Sequence, residues 1–132
     1  PYKIADKVRY INNELYTDQP DGLSGNEDCG QMSAWYIFSS IGFYPVNPSN
    51  GAYVFGSPLF DTVEIDVPGR KKFTVKTVNN SDENIYIQSV FLNGKKYDYS
   101  YITHKQITKG GELKFILGSK PNYEFGVNEN WF

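Results

Sequence analysis

Apolar side chains recur at two different spacings along the chain, and the change between them divides it into two parts. In residues 3–16 they follow the three-to-four-residue spacing of a single helix face. The apolar positions of that stretch are Ile4, Val8, Ile11 and Leu15. From residue 52 onward the period is two, as in the segment TVEIDV at residues 62–67. The pattern predicts helices first and β structure afterwards.

A second helix is predicted over residues 27–41. Ser24 and Glu27 have the spacing of a capping box, and Asn26 is an equally good N-cap residue. Gly42 follows the last apolar position, where helices commonly end on a residue in the left-handed conformation. Apolar residues point almost all round this helix, which indicates that it is buried.

Short strands separated by turn residues fill the second part of the chain. Asn93-Gly94, between the segments VFL and KKYDY, predicts a two-residue hairpin turn of type I′. Several such strands favour an antiparallel sandwich. The predicted fold class is therefore α+β, with two N-terminal helices followed by an antiparallel, β-sandwich-like module. We assign residues 1–48 to the helical segment and residues 49–132 to the β module.

Composition excludes several kinds of partner. The chain has 132 residues, a net charge of −2 and a pI near 5.3. It has no basic stripe to neutralise phosphates, so we expect no nucleic-acid partner. It also has no run of 18 or more apolar residues, so we expect no membrane span. Cys29, the one cysteine, is expected to be a buried, inert thiol, and His104, the one histidine, falls in a predicted β region without a clustered partner.

The adjacent acids Glu27 and Asp28 allow two interpretations. Acids in the first turn of a helix offset its macrodipole and help to satisfy its free N–H groups, which is a purely structural role. The same position favours the ionised form of a carboxylate, so its pKa is expected to fall. An ionised carboxylate at the edge of a cleft is able to activate water as a general base. The two residues by themselves leave both interpretations open.

The resemblance of a long segment to a known family changes the weight of these two interpretations. Residues 21–48, DGLSGNEDCGQMSAWYIFSSIGFYPVNP, resemble the hallmark segment of glycoside hydrolase family 92, whose members are bacterial, calcium-dependent, exo-acting alpha-mannosidases often described as alpha-1,2-mannosidases. The likeness continues through YVFGSPLFDTVEIDV, NIYIQSVFLNGK and YITHKQI, and so covers almost the whole chain. It implies that the chain is the C-terminal part of such an enzyme. Its helices would end an (α/α)6-type catalytic barrel, and the β region would follow.

The resemblance also implies roles for individual residues. Enzymes of this family invert the anomeric centre, using an acid and a base roughly 6.5–9.5 Å apart. The resemblance assigns the general base to Asp28. Glu27 is the second catalytic residue and Asn26 a substrate-binding residue, and these two would position the base or bind water nearby. The resemblance implies that the general acid lies upstream of this chain, together with most ligands of the calcium cofactor. No stretch here has the spacing of a self-sufficient calcium loop. The chain alone is therefore expected to be inactive.

The same resemblance implies partners and a location. We expect a mannose-containing glycan as substrate, the remainder of the same polypeptide as structural partner, and a periplasmic or secreted enzyme. The chain opens with Pro1 rather than an initiator methionine, which we interpret as a sign of a processed or excised piece.

A rival interpretation makes the chain a non-catalytic carbohydrate-binding or structural β module. It depends on Tyr97, Tyr99 and Tyr101, which alternate along a predicted strand and would form an aromatic ladder. Such a ladder serves as a glycan platform or simply as cross-strand packing, and packing is the plainer interpretation. Trp35 and Tyr36 are likewise expected to be core residues rather than a surface that stacks on sugar.

Overall fold

The computed structural model of the chain describes residues 1–127, with three α-helices, one 3-10 helix and eight strands among them. The helices are α1 (Tyr2–Glu14), α2 (Gln31–Ile41) and α3 (His104–Thr108), and the 3-10 helix is Pro48–Asn50. The strands are β1 (Phe43–Asn47), β2 (Ala52–Phe55), β3 (Thr62–Val67), β4 (Lys71–Val78), β5 (Tyr86–Leu92), β6 (Lys95–Lys96), β7 (Tyr101–Thr103) and β8 (Gly111–Gly118). The predicted α+β class is confirmed.

Helix α1 forms where predicted, but a different face of it is buried. The buried positions are Ala5, Arg9 and Asn12, whereas Ile4 of the predicted apolar stripe is 42% exposed. Arg9 explains the difference, because its guanidinium donates to Ser57 Oγ at 3.0 Å and to the Pro58 carbonyl at 2.6 Å. These bonds, together with one to the Asn80 side chain at 2.6 Å, attach α1 to the loops beside the sheets.

Helix α2 begins four residues later than predicted, so the capping box of Ser24 and Glu27 does not form. Its N-cap is Gly30, and the residues before it form a turn. The C-terminal end is as predicted: Gly42 has φ 113° and its N–H bonds to the carbonyls of Phe38 and Ser39. The prediction of a helix buried all round is wrong for this chain, since Ile37 is 57% exposed.

The strands form two sheets, ordered β1-β2-β7 and β3-β4-β8-β5-β6. The expectation of purely antiparallel pairing is wrong, because β4 and β8 run parallel, with Phe73 opposite Gly111 and Val78 opposite Ile116. A parallel neighbour requires a long crossover, and the chain supplies it through β5, β6, β7 and α3. The Asn93-Gly94 signal in the sequence predicts only the local β5–β6 turn and carries no information about the pairing of β4 with β8.

A single hydrophobic core joins the two sheets. Phe43, Phe55 and Ile102 enter it from the three-stranded sheet, and residues such as Phe73 and Phe115 enter it from the five-stranded one. The rings of Phe55 and Phe115 meet edge to face across the two sheets, with centroids 5.1 Å apart. Phe38 and Ile41 of α2 pack against the same core, so it also holds this helix on the β module.

Strand β1 starts at Phe43, ahead of the proposed boundary between residues 48 and 49. It pairs with β2 and so belongs structurally with the β module, while the boundary itself stays a prediction. The last five residues of the second unit, 128–132, lie outside the described residues.

The predicted hairpin turn is confirmed. Asn93 and Gly94 have φ values of 50° and 78°, as a type I′ turn requires, and Leu92 pairs with Lys95 across it. Strand β6 then ends after two residues, so KKYDY is not a continuous strand. His104 does not lie in a strand as predicted but begins α3, where Thr103 and Gln106 form a complete capping box.

Candidate functional site: the acid turn before helix α2

Residues 26–30, here called the acid turn, carry the predicted site residues. Asp28, Cys29 and Gly30 have φ values of 39°, 61° and 85°, so three successive residues lie in the left-handed region. Non-glycine residues rarely adopt this conformation. The turn is closed by the Gln31 N–H, which donates to the Glu27 carbonyl at 3.0 Å. The acids are thus presented by a strained turn rather than by a helical one.

Glu27 caps helix α2 from outside the helix. Its Oε1 accepts from the Ser33 backbone N–H at 3.0 Å, and its Oε2 accepts from the Ser33 hydroxyl at 2.7 Å. The backbone bond from Ser33 lowers the pKa of Glu27 most, the hydroxyl bond adds to it, and the Met32 N–H contributes less. The structural interpretation of the acid pair therefore applies to Glu27, by a route that differs from the predicted capping box.

Asp28 and Asn26 are both exposed. Neither side chain makes a hydrogen bond to another residue within 1–127, which leaves the Asp28 carboxylate oxygens accessible to solvent. The structure brings Asn26, Glu27 and Asp28 together because they are consecutive, but it separates what they do. The Glu27 carboxylate is hydrogen-bonded to Ser33 of α2, and Asp28 is exposed to solvent.

Tyr16 contacts the first turns of α2, next to the acid turn, and the sequence pattern did not predict a role for it. Its hydroxyl donates to the Met32 carbonyl at 3.1 Å. Its ring stacks on Trp35 at 5.8 Å and lies 4.9 Å from that of Tyr36. Burial raises the pKa of Tyr16, and the nearby charge of Glu27 raises it further. The hydroxyl therefore stays protonated and able to donate.

Residues 17–22 form a closed loop between α1 and the acid turn. Tyr16 and Leu23 make an antiparallel bridge at its base, and the Thr17 N–H donates to the Gly22 carbonyl at 2.9 Å. A side chain at Gly22 would collide with the backbone carbonyl of Thr17, so only glycine fits here. These contacts close the loop and hold Leu23, which precedes the acid turn, beside Tyr16.

The other singled-out residues lie in different settings. Cys29 is exposed, so the prediction of a buried thiol is wrong. Its place in a left-handed turn, not in the first turn of a helix, accounts for this exposure. His104 Nδ1 lies 3.1 Å from the Tyr53 hydroxyl, consistent with a satisfied histidine on the β side of the molecule.

Trp35 and Tyr36 are half-buried rather than fully enclosed. Trp35 packs between Tyr16 and Tyr44, whose ring centroid lies 6.4 Å away. It also lines an apolar groove of about 140 Å³ together with Ile4 and Val8 of α1. The groove leaves part of the helical segment uncovered within this chain.

The residues described here do not make a calcium site of their own. Among residues 1–127 no group of three or more acidic, histidine or cysteine side chains is placed to hold a metal ion. Calcium prefers six to eight oxygen ligands. Each carboxylate oxygen of Glu27 accepts one hydrogen bond from Ser33 and retains a further lone pair. The acid turn offers two carboxylates, those of Glu27 and Asp28, and two side chains do not supply six ligands.

Comparison with known proteins assigns a class to this arrangement. Residues 1–119 match the glycosyl hydrolase family 92 catalytic domain, so the chain belongs to a family of glycoside hydrolases. It belongs, specifically, to glycoside hydrolase family 92, as the resemblance of the acidic segment implied. An uncharacterized secreted glycosidase from Arthroderma benhamiae is 36% identical over 98% of this chain.

Solved structures agree with this assignment. The family GH92 alpha-mannosidase BT3965 from Bacteroides thetaiotaomicron is 44% identical over 97% of the chain, with a TM-score of 0.91. The family GH92 inverting mannosidase BT2199 from Bacteroides thetaiotaomicron VPI-5482 is 40% identical over 97% of the chain, with a TM-score of 0.90. The chain spans 17% of the length of each of these relatives. Among the residues described, no helix has both the length and the apolar character needed to cross a membrane.

Proposed function

We propose that this chain is the C-terminal part of an inverting, calcium-dependent exo-alpha-mannosidase and that Asp28 is its general base. The observation that carries the proposal is that the two adjacent acids of the acid turn have different surroundings. Glu27 is held by two hydrogen bonds from Ser33, while the neighbouring Asp28 carboxylate is exposed and has no hydrogen-bond partner within 1–127. Membership of family 92 and the titles of its mannosidase relatives support the substrate class.

In this mechanism the Asp28 carboxylate takes a proton from a water molecule on the face of the sugar opposite the leaving group. The water oxygen forms a bond to the anomeric carbon as the glycosidic C–O bond breaks. A general acid elsewhere in the polypeptide protonates the departing oxygen, so protons balance between the two groups. The anomeric configuration inverts because attack and departure occur on opposite faces.

Glu27 and Asn26 serve the base without sharing its role. Glu27 holds the turn against the positive end of α2, and this fixes the direction in which Asp28 points. Asn26 is exposed immediately before the acids and supplies an amide that is able to bind water or a sugar hydroxyl. Two adjacent acids on one turn point apart, so we do not assign them as the acid and base of a single pair.

The remaining parts of the proposed enzyme lie outside this chain. They include the general acid, most of the calcium ligands and the walls of an (α/α)6-type barrel that would cover the apolar groove at Trp35. The proposed substrate is a mannose-containing glycan, with alpha-1,2-linked mannosides as the first to test. A bacterial periplasmic or secreted location fits, and the Arthroderma benhamiae relative is described as secreted.

Replacing Asp28 with Asn in the full-length protein tests the base assignment, because Asn preserves shape and removes the proton acceptor. We expect turnover of an alpha-mannoside to fall on the order of 10²–10⁴-fold, with KM little changed. Asp21→Asn, in the preceding loop, is the matched control and should retain turnover. Near-normal turnover of Asp28→Asn would remove the assignment. Proton NMR of the first product formed by the wild type should show the inverted anomer.

A second candidate function is glycan binding by the β module. Tyr97, Tyr99 and Tyr101 do form a ladder, with ring centroids 5.3 and 5.7 Å apart, and Tyr99 is 51% exposed. Tyr97 packs on Phe55 and shares a hydrogen bond with Gln106, which favours packing for that member. Calorimetric binding of mannosides to the full-length protein separates the two functions. Loss of binding in Tyr99→Ala but not in Asp28→Asn would favour the module.

A further inference from the structure

One peptide group links Tyr16 to the acid turn. The Met32 carbonyl accepts from the Tyr16 hydroxyl at 3.1 Å. The N–H of the same peptide unit, which belongs to Ser33, donates to Glu27 Oε1 at 3.0 Å. The peptide is therefore bonded at both ends, by a phenol on one side and a carboxylate on the other. Hydrogen bonds in such a chain polarise one another, so each strengthens the next.

Tyr16 also restrains the segment that enters the acid turn. Its backbone bridges Leu23, three residues before Asn26, and its ring contacts Trp35 and Tyr36 of α2. One residue thus contacts the chain on both sides of the turn. The turn itself is strained, with positive φ at Asp28, Cys29 and Gly30, and such a conformation persists only when its surroundings hold it.

We propose that Tyr16 is a positioning residue for Asp28, acting through the Met32–Ser33 peptide and the Glu27 carboxylate. The inference rests on the proposed function, because it needs Asp28 to be the base. It adds a residue that lies outside the acid turn and contacts Met32, Trp35 and Tyr36 rather than the acids themselves. Burial and the charge of Glu27 keep the pKa of Tyr16 raised, so its donor role holds across the neutral range.

Tyr16→Phe in the full-length protein removes the hydroxyl and keeps the ring. We expect kcat to fall about tenfold, because a small displacement of a catalytic group slows the reaction. KM should stay within about twofold of wild type. Tyr36→Phe is the matched control, because its ring also contacts Tyr16 while its hydroxyl has no hydrogen-bond partner within residues 1–127. It should keep wild-type kcat.

The double variant Tyr16→Phe/Glu27→Gln gives a readout that a merely structural role would not move. If both residues act through one peptide, the double variant should be no slower than Glu27→Gln alone, within about twofold. Multiplied losses, or wild-type kcat in Tyr16→Phe, would overturn the inference. If Asp28→Asn is inactive and Tyr16→Phe is normal, only this inference fails. If Asp28→Asn is normal, the base assignment fails and the positioning role fails with it.

Discussion

Glu27 and Ser33 are joined by two hydrogen bonds that span six residues, one to the Ser33 amide at 3.0 Å and one to its hydroxyl at 2.7 Å. The pair holds the first turn of α2 from outside the helix. The neighbouring Asp28 therefore takes no part in capping the helix. The capping interpretation and the catalytic interpretation of the acid pair are therefore compatible, because each applies to a different residue.

Glu27→Gln should weaken the cap, because Gln carries no charge to complement the free N–H groups of α2. We expect the melting temperature at pH 7 to fall by a few degrees. The folded-state pKa of Glu27 is lowered from its ordinary value of 4.5. Its stabilising effect is therefore fully present above pH 4.5 and is lost as the pH falls through the folded-state pKa. Thermal melts followed by circular dichroism from pH 3 to pH 7 measure this difference.

The control for that experiment is Glu83→Gln, since Glu83 is exposed and its side chain makes no hydrogen bond within the described residues. Its melting temperature should follow that of wild type at every pH. A Glu27→Gln difference that persists unchanged at pH 3 would contradict the cap.

Arg9 should be a major contributor to the stability of the helical segment. It is 7% exposed and donates three hydrogen bonds, to Ser57, Pro58 and Asn80. Arg9→Met leaves these acceptors without their donor, so we expect the free energy of unfolding to fall by about 3 kcal/mol. Arg9→Lys retains the positive charge but not the planar guanidinium that reaches all three acceptors, so it should show a smaller loss than Arg9→Met. Urea unfolding gives both values, and a change below about 0.5 kcal/mol in Arg9→Met would show that the network is dispensable.

Two glycines with positive φ should respond differently to alanine. Gly94 has open space where a Cβ would lie, so Gly94→Ala carries only the backbone strain of φ 78°, about 1 kcal/mol. Gly42 has φ 113°, and its Cβ would lie 2.9 Å from Pro58 Cβ and 3.3 Å from the Phe115 ring. Gly42→Ala should therefore cost more, about 3 kcal/mol. Equal losses in urea unfolding would mean that the crowding at Gly42 relaxes freely.

Cys29 should react with a thiol reagent such as DTNB without denaturant, because it is exposed in the left-handed turn. We expect one equivalent of thiolate product per chain for residues 1–132, and none for Cys29→Ser. Reaction that occurs only after addition of urea would indicate that the turn is closed in solution.

The chain of residues 1–132 alone should not release mannose from an alpha-mannoside, because the proposed mechanism takes its general acid from elsewhere in the polypeptide. The full-length protein, assayed alongside at equal concentration, provides the reference rate. Turnover by the isolated chain within about tenfold of that rate would mean that both catalytic groups lie within it.

Local rules predicted the features that depend on neighbouring residues. The helical spacing from Ile4 to Leu15 located α1, Gly42 ended α2, and Asn93-Gly94 turned a hairpin. A glycine or an Asn-Gly pair acts through its own backbone, so its effect is readable from the sequence. The acidic segment also identified the family, because a long match of this kind does not depend on knowing the packing.

Other features were decided by residues far apart in the chain. Arg9 buried a face of α1 that its apolar spacing did not indicate, through partners 48 to 71 residues away. The parallel pairing of β4 with β8 depends on where a long crossover returns, which no local pattern specifies.

At the candidate site, sequence by itself determined which acids stand together, and tertiary structure decided which one is held and which is accessible. Tyr16 and Ser33 carry no local signal, and they act only because folding places them around the Met32–Ser33 peptide. A hydrogen bond needs its partners within about 3 Å, and that proximity is a property of the packed chain rather than of sequence spacing.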